Sequence, residues 1–300
     1  MFVALGRLER SDEALVHARQ GLQCAQAAGD RNTEGAIHNN IGLTQLKAHT
    51  DLLGKHAFQR AMVAYNAAGS RHGAITVQSN LAVCEHELGN FVTARDMHLR
   101  NLLACQDIGH RAMEAHTCAN LSFTLFELGE FCAAEERALQ ALQLAQLAGE
   151  RWAQAYAHAG VYLSASAQAR WPQALEHAWA ARDAFAKLRD QIEVWSFWSA
   201  AASALHAMGD RTAAMAEAEA VLADVAAQGG WRDCIEGPMR LYRVLAPQGD
   251  RRAPALLATA SQNLEALAEH FNAMLSREQF LRATAARREL GDALAAARAA

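Results

Sequence analysis

Proline is scarce in this chain: Pro172, Pro238, Pro247 and Pro254 are the four in 300 residues. Almost every backbone N–H is therefore available to a helix ladder. Lysine is scarcer, with Lys47, Lys55 and Lys187 against a background of arginine. A GC-rich coding bias explains that skew better than a need for forked carboxylate contacts. A net charge of -4 lacks the basic excess of a nucleic-acid binder. No apolar run approaches the ~20 residues of a membrane-spanning helix, and the opening Met1-Phe2-Val3-Ala4-Leu5-Gly6-Arg7 lacks the basic and long apolar regions of a signal peptide. These absences predict a cytoplasmic protein without nucleic-acid or membrane partners.

Catalytic signatures are missing as well. The sequence contains no GxxxxGK[ST], HExxH or GxSxG. Its six cysteines form no CxxC pair and read as small buried apolar residues of a reducing compartment. Cys84/His86 and His116/Cys118 stand two apart, which points them to different helix faces and away from shared metal ligation. The expectation is no enzyme activity, no metal and no cofactor.

What the chain does have is alanine, leucine and a period. Gly29, Gly69, Gly109 and Gly149 recur every 40 residues, each followed two positions later by arginine. A second series, Gly89, Gly129, Gly209 and Gly249, is offset by 20 and is regular once Ala169 is admitted as its missing member. Glycine accepts the left-handed conformation that ends a helix. Between the breaks apolar residues recur mostly at three and four, as in Ala74, Val77, Leu81, Cys84 and Leu88. Each segment reads as a helix of about 16–18 residues, roughly 25 Å long. Phe91, Phe131 and Trp171 follow the turns, with Ala94, Ala134, Ala174 and Ala214 in register. Gly42, Ala82 and Ser122 supply small residues where helices cross, Tyr162 being the exception.

This arrangement resembles the tetratricopeptide repeat in its longer, 40-residue form, found in peptide-binding adaptors and bacterial signalling proteins. The resemblance implies an all-α, right-handed superhelical solenoid of antiparallel helix pairs. Residues 1–268 are predicted to form the array: a partial first repeat with one helix at 11–28, then units near 31–68, 71–108, 111–148, 151–188, 190–228 and 231–268. A helical end piece covers 269–300. Register is weakest in 231–268, where Gly237-Pro238 is expected to interrupt the first helix and Pro254 takes an alanine position.

A narrower resemblance lies in the C-terminal third. Trp231-Arg232, Leu241-Tyr242-Arg243-Val244-Leu245, Gly249-Asp250-Arg251-Arg252-Ala253 and the later Phe280-Leu281 and Arg287 to Leu290 are similar to the tetratricopeptide tails of bacterial cyclase or kinase–ATPase signalling proteins. The proline usual between that phenylalanine and the arginine pair is absent. At the other end, helix 11–28 shows an apolar edge through Leu15, Ala18, Leu22 and Ala25. Since terminal repeats need a polar cap, that edge is expected to meet an upstream domain or a second copy.

In such an array the first helices line a concave groove. Asn40, Asn80 and Asn120 form a ladder along it, ending at Gly160 and Ala200. The resemblance implies that these amides hold the backbone of an extended peptide; equally, each amide can bridge neighbouring helices. The surrounding wall is expected to include Asn39, Lys47, Ser79, His86, Glu87, His116, Phe123, Phe126 and Glu127, then Tyr156, Leu163, Ser196, Ser199, Ser203 and His206. Phe126 is a candidate anchor, whereas Phe123, Trp195 and Trp198 read as core. Arg31, Arg71, Arg111 and Arg151 read as a rim paired with local acids such as Glu34 and Glu114. The leading expectation is a non-catalytic scaffold for a protein or peptide segment. The alternative is the regulatory or sensor tail of a signalling ATPase or nucleotide cyclase.

Overall fold

The structure is a computed structural model that describes residues 11–47, 51–231, 233–269 and 277–299. The first ten residues of the N-terminal prediction lie outside them. The helices, numbered in chain order, are α1 (Ser11–Ala28), α2 (Arg31–Lys47), α3 (Asp51–Ala67), α4 (Arg71–Glu87), α5 (Phe91–Asp107), α6 (Arg111–Glu127), α7 (Phe131–Ala148), α8 (Arg151–Ala167), α9 (Trp171–Leu188), α10 (Gln191–Ala207), α11 (Arg211–Ala227), α12 (Glu236–Leu245), α13 (Ala253–Ala268), α14 (Arg277–Leu281) and α15 (Ala285–Ala299). No strand occurs among the described residues. The chain divides into two compact units, one holding α1 to α5 and the other α6 to α15.

From α1 to α5 and from α6 to α14 each helix packs on its neighbours in the chain within its unit, and α15 packs on α13. In addition, α2 touches α4 in the first unit, and α6 touches α8 and α10 touches α12 in the second. In the second unit α8 to α13 share one apolar cluster, which is how a repeat array buries a core that no pair could bury alone.

The breaks are built as the period predicts. At the α4–α5 corner Gly89 has φ 78°. The Asn90 N–H donates to the carbonyl of Glu85 (2.8 Å) and the Gly89 N–H to that of His86 (2.8 Å), so the last carbonyls of α4 are satisfied. Ala169 holds the same conformation at φ 54°. So does Arg189 at φ 59°, between the expected units 151–188 and 190–228, where no glycine marks the corner. A side chain in this region carries strain of about 1–2 kcal/mol. Ala169→Gly and Arg189→Gly are each expected to raise stability in urea denaturation by about 0.5–1 kcal/mol, because relief of strain outweighs the extra freedom of the unfolded chain. A loss of stability in both would refute this account of the corners.

Close approach fixes the small positions. A Cβ at Gly42 would lie 2.5 Å from the Phe58 ring, and one at Gly160 would lie 2.5 Å from Ser122 Oγ. Ala82 and Ser122 are buried, as is the exception Tyr162. The interruption at Gly237-Pro238 takes the form of a late start: α12 begins at Glu236, so Pro238 sits in the first turn where its missing N–H is harmless. Gly237 is required there because a Cβ would meet the Trp231 ring at 2.5 Å. Pro254 likewise occupies the first turn of α13.

Two sequence expectations need correction. Cys84, Cys105, Cys118 and Cys234 are buried, but Cys24 and Cys132 are exposed, on helix faces turned to solvent. On α1, Ala25 is buried and Leu15, Ala18 and Leu22 are half-buried, so α2 already shields much of the edge expected to need a partner.

Candidate functional site

The residues expected to line a groove sit on the first helices of the pairs, α2 and α4 in the first unit and α6, α8 and α10 in the second. In the first unit Asn40 is exposed on α2. Asn80 Nδ2 donates to Asn39 Oδ1 at 2.8 Å, tying α4 to α2. That bond realises the bridging alternative for Asn80 and Asn39, and it leaves Asn40 as the open amide of the group. Ser79 is buried. His86 is half-buried and packs edge-on against Phe91 at 5.1 Å between centroids; Glu87 is also half-buried. The Lys47 side chain lies outside the described residues.

The second unit carries a continuous aromatic row. The His116 ring stacks on Trp152 (4.8 Å, 8°), and Trp152 stacks on Tyr156 (4.1 Å, 29°). Tyr156 meets Phe123 and Phe185 edge-on, at 6.0 and 5.0 Å. Phe185 stacks on Phe197, which meets Tyr162 edge-on. Such offset and edge-on pairs each contribute about 0.5–1.5 kcal/mol beyond burial. His116 also sits 3.2 Å from Glu150 through Nε2. Phe123 packs against the core, as expected; Phe126 packs against Phe131 and the Leu121–Leu125 cluster, so it is a packing residue more than an open anchor. Trp195 is buried, its Nε1 donating to Asp224 at 2.7 Å.

The row ends on a cation. The buried Arg240 guanidinium lies over Tyr162 (5.2 Å) and Phe197 (5.3 Å). Its Nη1 donates to the Ser196 carbonyl (2.7 Å) and hydroxyl (2.6 Å). Sequence reasoning missed both Trp152 and Arg240. The signal for Arg240 was present: the ladder Asn40, Asn80, Asn120, Gly160, Ala200 continues to Arg240 at the next step of 40.

Neighbouring charges are tuned by this crowding. Burial pushes the Glu193 carboxyl up to about 8, with Glu236 and Asp190 adding repulsion and Arg240 opposing it. Asn120 is half-buried on α6. Glu127, at the end of α6, is engaged from within the chain: its Oε2 accepts the Ala285 N–H at 2.8 Å and lies 3.6 Å from Arg288. The rim arginines behave as expected where their partners are visible, with Arg31 on Glu34 at 2.6 Å, whereas Arg71 reaches across to Asp107 on α5. Among the described residues no group of three or more His, Cys, Asp or Glu could hold a metal ion. No helix among them is long and apolar enough to cross a membrane.

No protein-family model matches the sequence, and no curated protein matches it. Solved structures do. The chain is similar over 87% of its length to a Signal Transduction ATPase with Numerous Domains that has a tetratricopeptide repeat sensor, from Pyrococcus horikoshii, at 14% identity and a TM-score of 0.61; it spans 42% of that protein. It is similar over 88% of its length to a Rap protein complexed with Competence and Sporulation Factor, at 14% identity and a TM-score of 0.62, covering 76% of that chain. It is similar over 74% of its length to BtubC from P. vanneervenii, at 16% identity and a TM-score of 0.62, covering 93% of that chain. At such identities the likeness concerns architecture, and the architecture is an all-helical repeat fold of the tetratricopeptide type.

Proposed function

We propose that this chain is a non-catalytic scaffold that holds a protein or peptide segment on the first-helix faces of its repeats. The observation that carries this reading is the aromatic row from His116 through Trp152 and Tyr156, half-buried side chains that reach the surface and end at a cation. Half-exposed aromatics held rigid by mutual stacking suit anchoring a partner at low entropic cost. The exposed amide of Asn40 and the half-buried amide of Asn120 are suited to backbone contacts, each unit contributing its own. The Rap structure, solved with Competence and Sporulation Factor, supports a binding role for this architecture.

The likeness to an ATPase with a tetratricopeptide repeat sensor favours a second reading, in which the array senses a ligand for attached catalytic domains. An in-frame neighbouring ATPase or cyclase coding region would select it over a free-standing scaffold.

Trp152→Ala is expected to weaken partner binding by about thirty-fold, or ~2 kcal/mol, as loss of a central aromatic anchor does. Partners recovered from lysate and identified by mass spectrometry provide the ligand, and titration of wild type and variant gives the ratio. Asn40→Ala with Asn120→Ala is expected to add a further loss. Unchanged affinity in both variants, with circular dichroism showing intact helices, would place the binding surface elsewhere.

A further inference from the structure

Two histidines outside the aromatic row meet across a helix pair. His158 on α8 and His177 on α9 face each other through their Nδ1 atoms at 3.0 Å, with ring centroids 5.1 Å apart and planes inclined at 44°. Both belong to the second unit, both are half-buried, and α8 packs directly on α9, which holds their separation. The absence of metal expected from Cys84/His86 and His116/Cys118 rests on spacing within one helix; these two residues stand 19 apart, on two helices. The repeat brings their positions together without requiring histidine at either. One period back they are Cys118 and Arg137, and one period on they are Trp198 and Glu217, where the indole Nε1 donates to the carboxylate. A hydrogen bond between two neutral rings adds little net stability at a half-exposed place, so packing alone gives no reason for the pair.

The geometry is that of two ligands of one ion. Imidazole nitrogens at ~2.0–2.1 Å from a shared metal stand about 3.3 Å apart in a tetrahedral arrangement and about 2.9 Å apart as neighbours in a square plane. The observed 3.0 Å lies between those values. Burial lowers the pKa of both rings, so each is neutral near pH 7 and keeps a lone pair to donate. Glu176 and Glu135 act on His177 in the opposite sense, which marks a local field that favours a cation. Glu135 is shared with Arg170, whereas Glu176 is exposed beside the pair in sequence.

We propose that His158 and His177 form a two-histidine site for a divalent ion that favours imidazole, namely Zn²⁺, Ni²⁺ or Cu²⁺. The ion takes the place of the proton held between the two Nδ1 atoms, and the donor ring carries its proton on Nε2 instead. Among the described residues no group of three His, Cys, Asp or Glu is placed to hold a metal, so water fills the remaining positions. The ion is therefore exchangeable, unlike one in the closed four-ligand set of a structural zinc. Bound, it fastens α8 to α9. This site stands independently of the scaffold reading above.

The test uses the full chain, free of tags and stripped with a chelator, and ZnCl₂ as the probe. Calorimetric titration at pH 7 is expected to reveal a site that His158→Gln and His177→Gln each weaken by at least the ~10–100-fold that loss of an outer-shell partner costs. With free Zn²⁺ at a hundred times the dissociation constant, amide protection across α8 and α9 should rise by up to about a hundredfold in wild type and in neither variant. MgCl₂, an oxygen-seeking ion, should leave protection unchanged. Nitrogen NMR of the imidazole rings reads the site without any substitution: Zn²⁺ should shift the Nδ1 resonances of both histidines. Equal Zn²⁺ affinity in wild type and both variants, protection that rises elsewhere but not across α8 and α9, or unmoved Nδ1 resonances would each overturn the proposal.

Discussion

Gly73→Val is expected to destabilise the first unit by about 3 kcal/mol, a large share of what holds so small a core together. Tyr65 on α3 lies between two glycines, Gly35 on α2 and Gly73 on α4. A Cβ at Gly73 would stand 2.3 Å from the ring and one at Gly35 2.8 Å from it. The ring cannot retreat from one helix without striking the other, so neither rotamer change nor a small slide relieves the clash. Urea denaturation with exchange measured separately over α2 to α5 and over α6 to α13 reads the effect. Protection should fall in the first group and hold in the second. The contrasting substitution is Gly291→Ala: nothing lies within 4 Å of the Cβ it adds on α15, so helix propensity alone should make it neutral or stabilising. Equal tolerance of both changes would mean that Tyr65 does not wedge the helices apart as described.

Acidification from pH 7 to 5 is expected to weaken the first unit selectively. His98 on α5 is fully buried, neither ring nitrogen has a hydrogen-bond partner, and burial pushes its pKa down to about 3, with the nearby His86 adding to the shift. The folded form stays neutral while the unfolded form takes a proton below about 6.5. Stability is therefore unaffected above that pH and is lost as pH falls from about 6.5 towards 3. At pH 5 the loss reaches at most about 2 kcal/mol, or roughly thirty-fold in protection.

The second unit balances opposing groups. His158 (pushed down to about 4 by burial and by His177, its partner at 3.0 Å) acts in the same direction as His98. Glu193 acts oppositely: raised to about 8, it is protonated when folded, so the unfolded state's preference for ionisation fades as pH falls towards 4.5. Protection factors by hydrogen exchange at pH 7 and 5 should thus diverge between the units. His98→Leu should reduce the pH dependence of the first, leaving the smaller contribution of His38, whose pKa burial also lowers, and raise its stability, since two unpaired polar nitrogens are removed. An unchanged pH profile in that variant would assign the acid response to other groups.

The fold was legible because its cause is local and repeated. Glycine every 40 residues marks a left-handed corner, and the apolar spacing between corners is helical, so helix positions follow from the chain alone. The corner at Arg189 falls at the expected boundary between units 151–188 and 190–228, but it carries no glycine to mark its left-handed conformation. The candidate site was legible at its positions and much less so in its bonds. Asn40, Asn80 and Asn120 lie in one register, yet only the three-dimensional approach of α4 to α2 shows that Asn80 is taken by Asn39. His116, Phe123 and Tyr156 were marked one by one, but their union depends on Trp152, whose ring connects His116 to Tyr156. Glu127 was marked as part of the wall, but its engagement could not be read from periodicity, since its partners Ala285 and Arg288 come from beyond the repeats.

The bond between Glu127 and Ala285 joins positions 158 residues apart. Tension applied along α15 is therefore divided between α6, through that hydrogen bond and the Arg288 pair, and the last helices of the array, through the Arg243–Glu289 pair and the packing of α15 on α13. Pulled through α15, the molecule should lengthen first by the undocking of that helix, whose ties to the array are few beside those between stacked pairs. The closing segment then serves as a mechanical fuse, parting reversibly while the stacked pairs behind it remain wound.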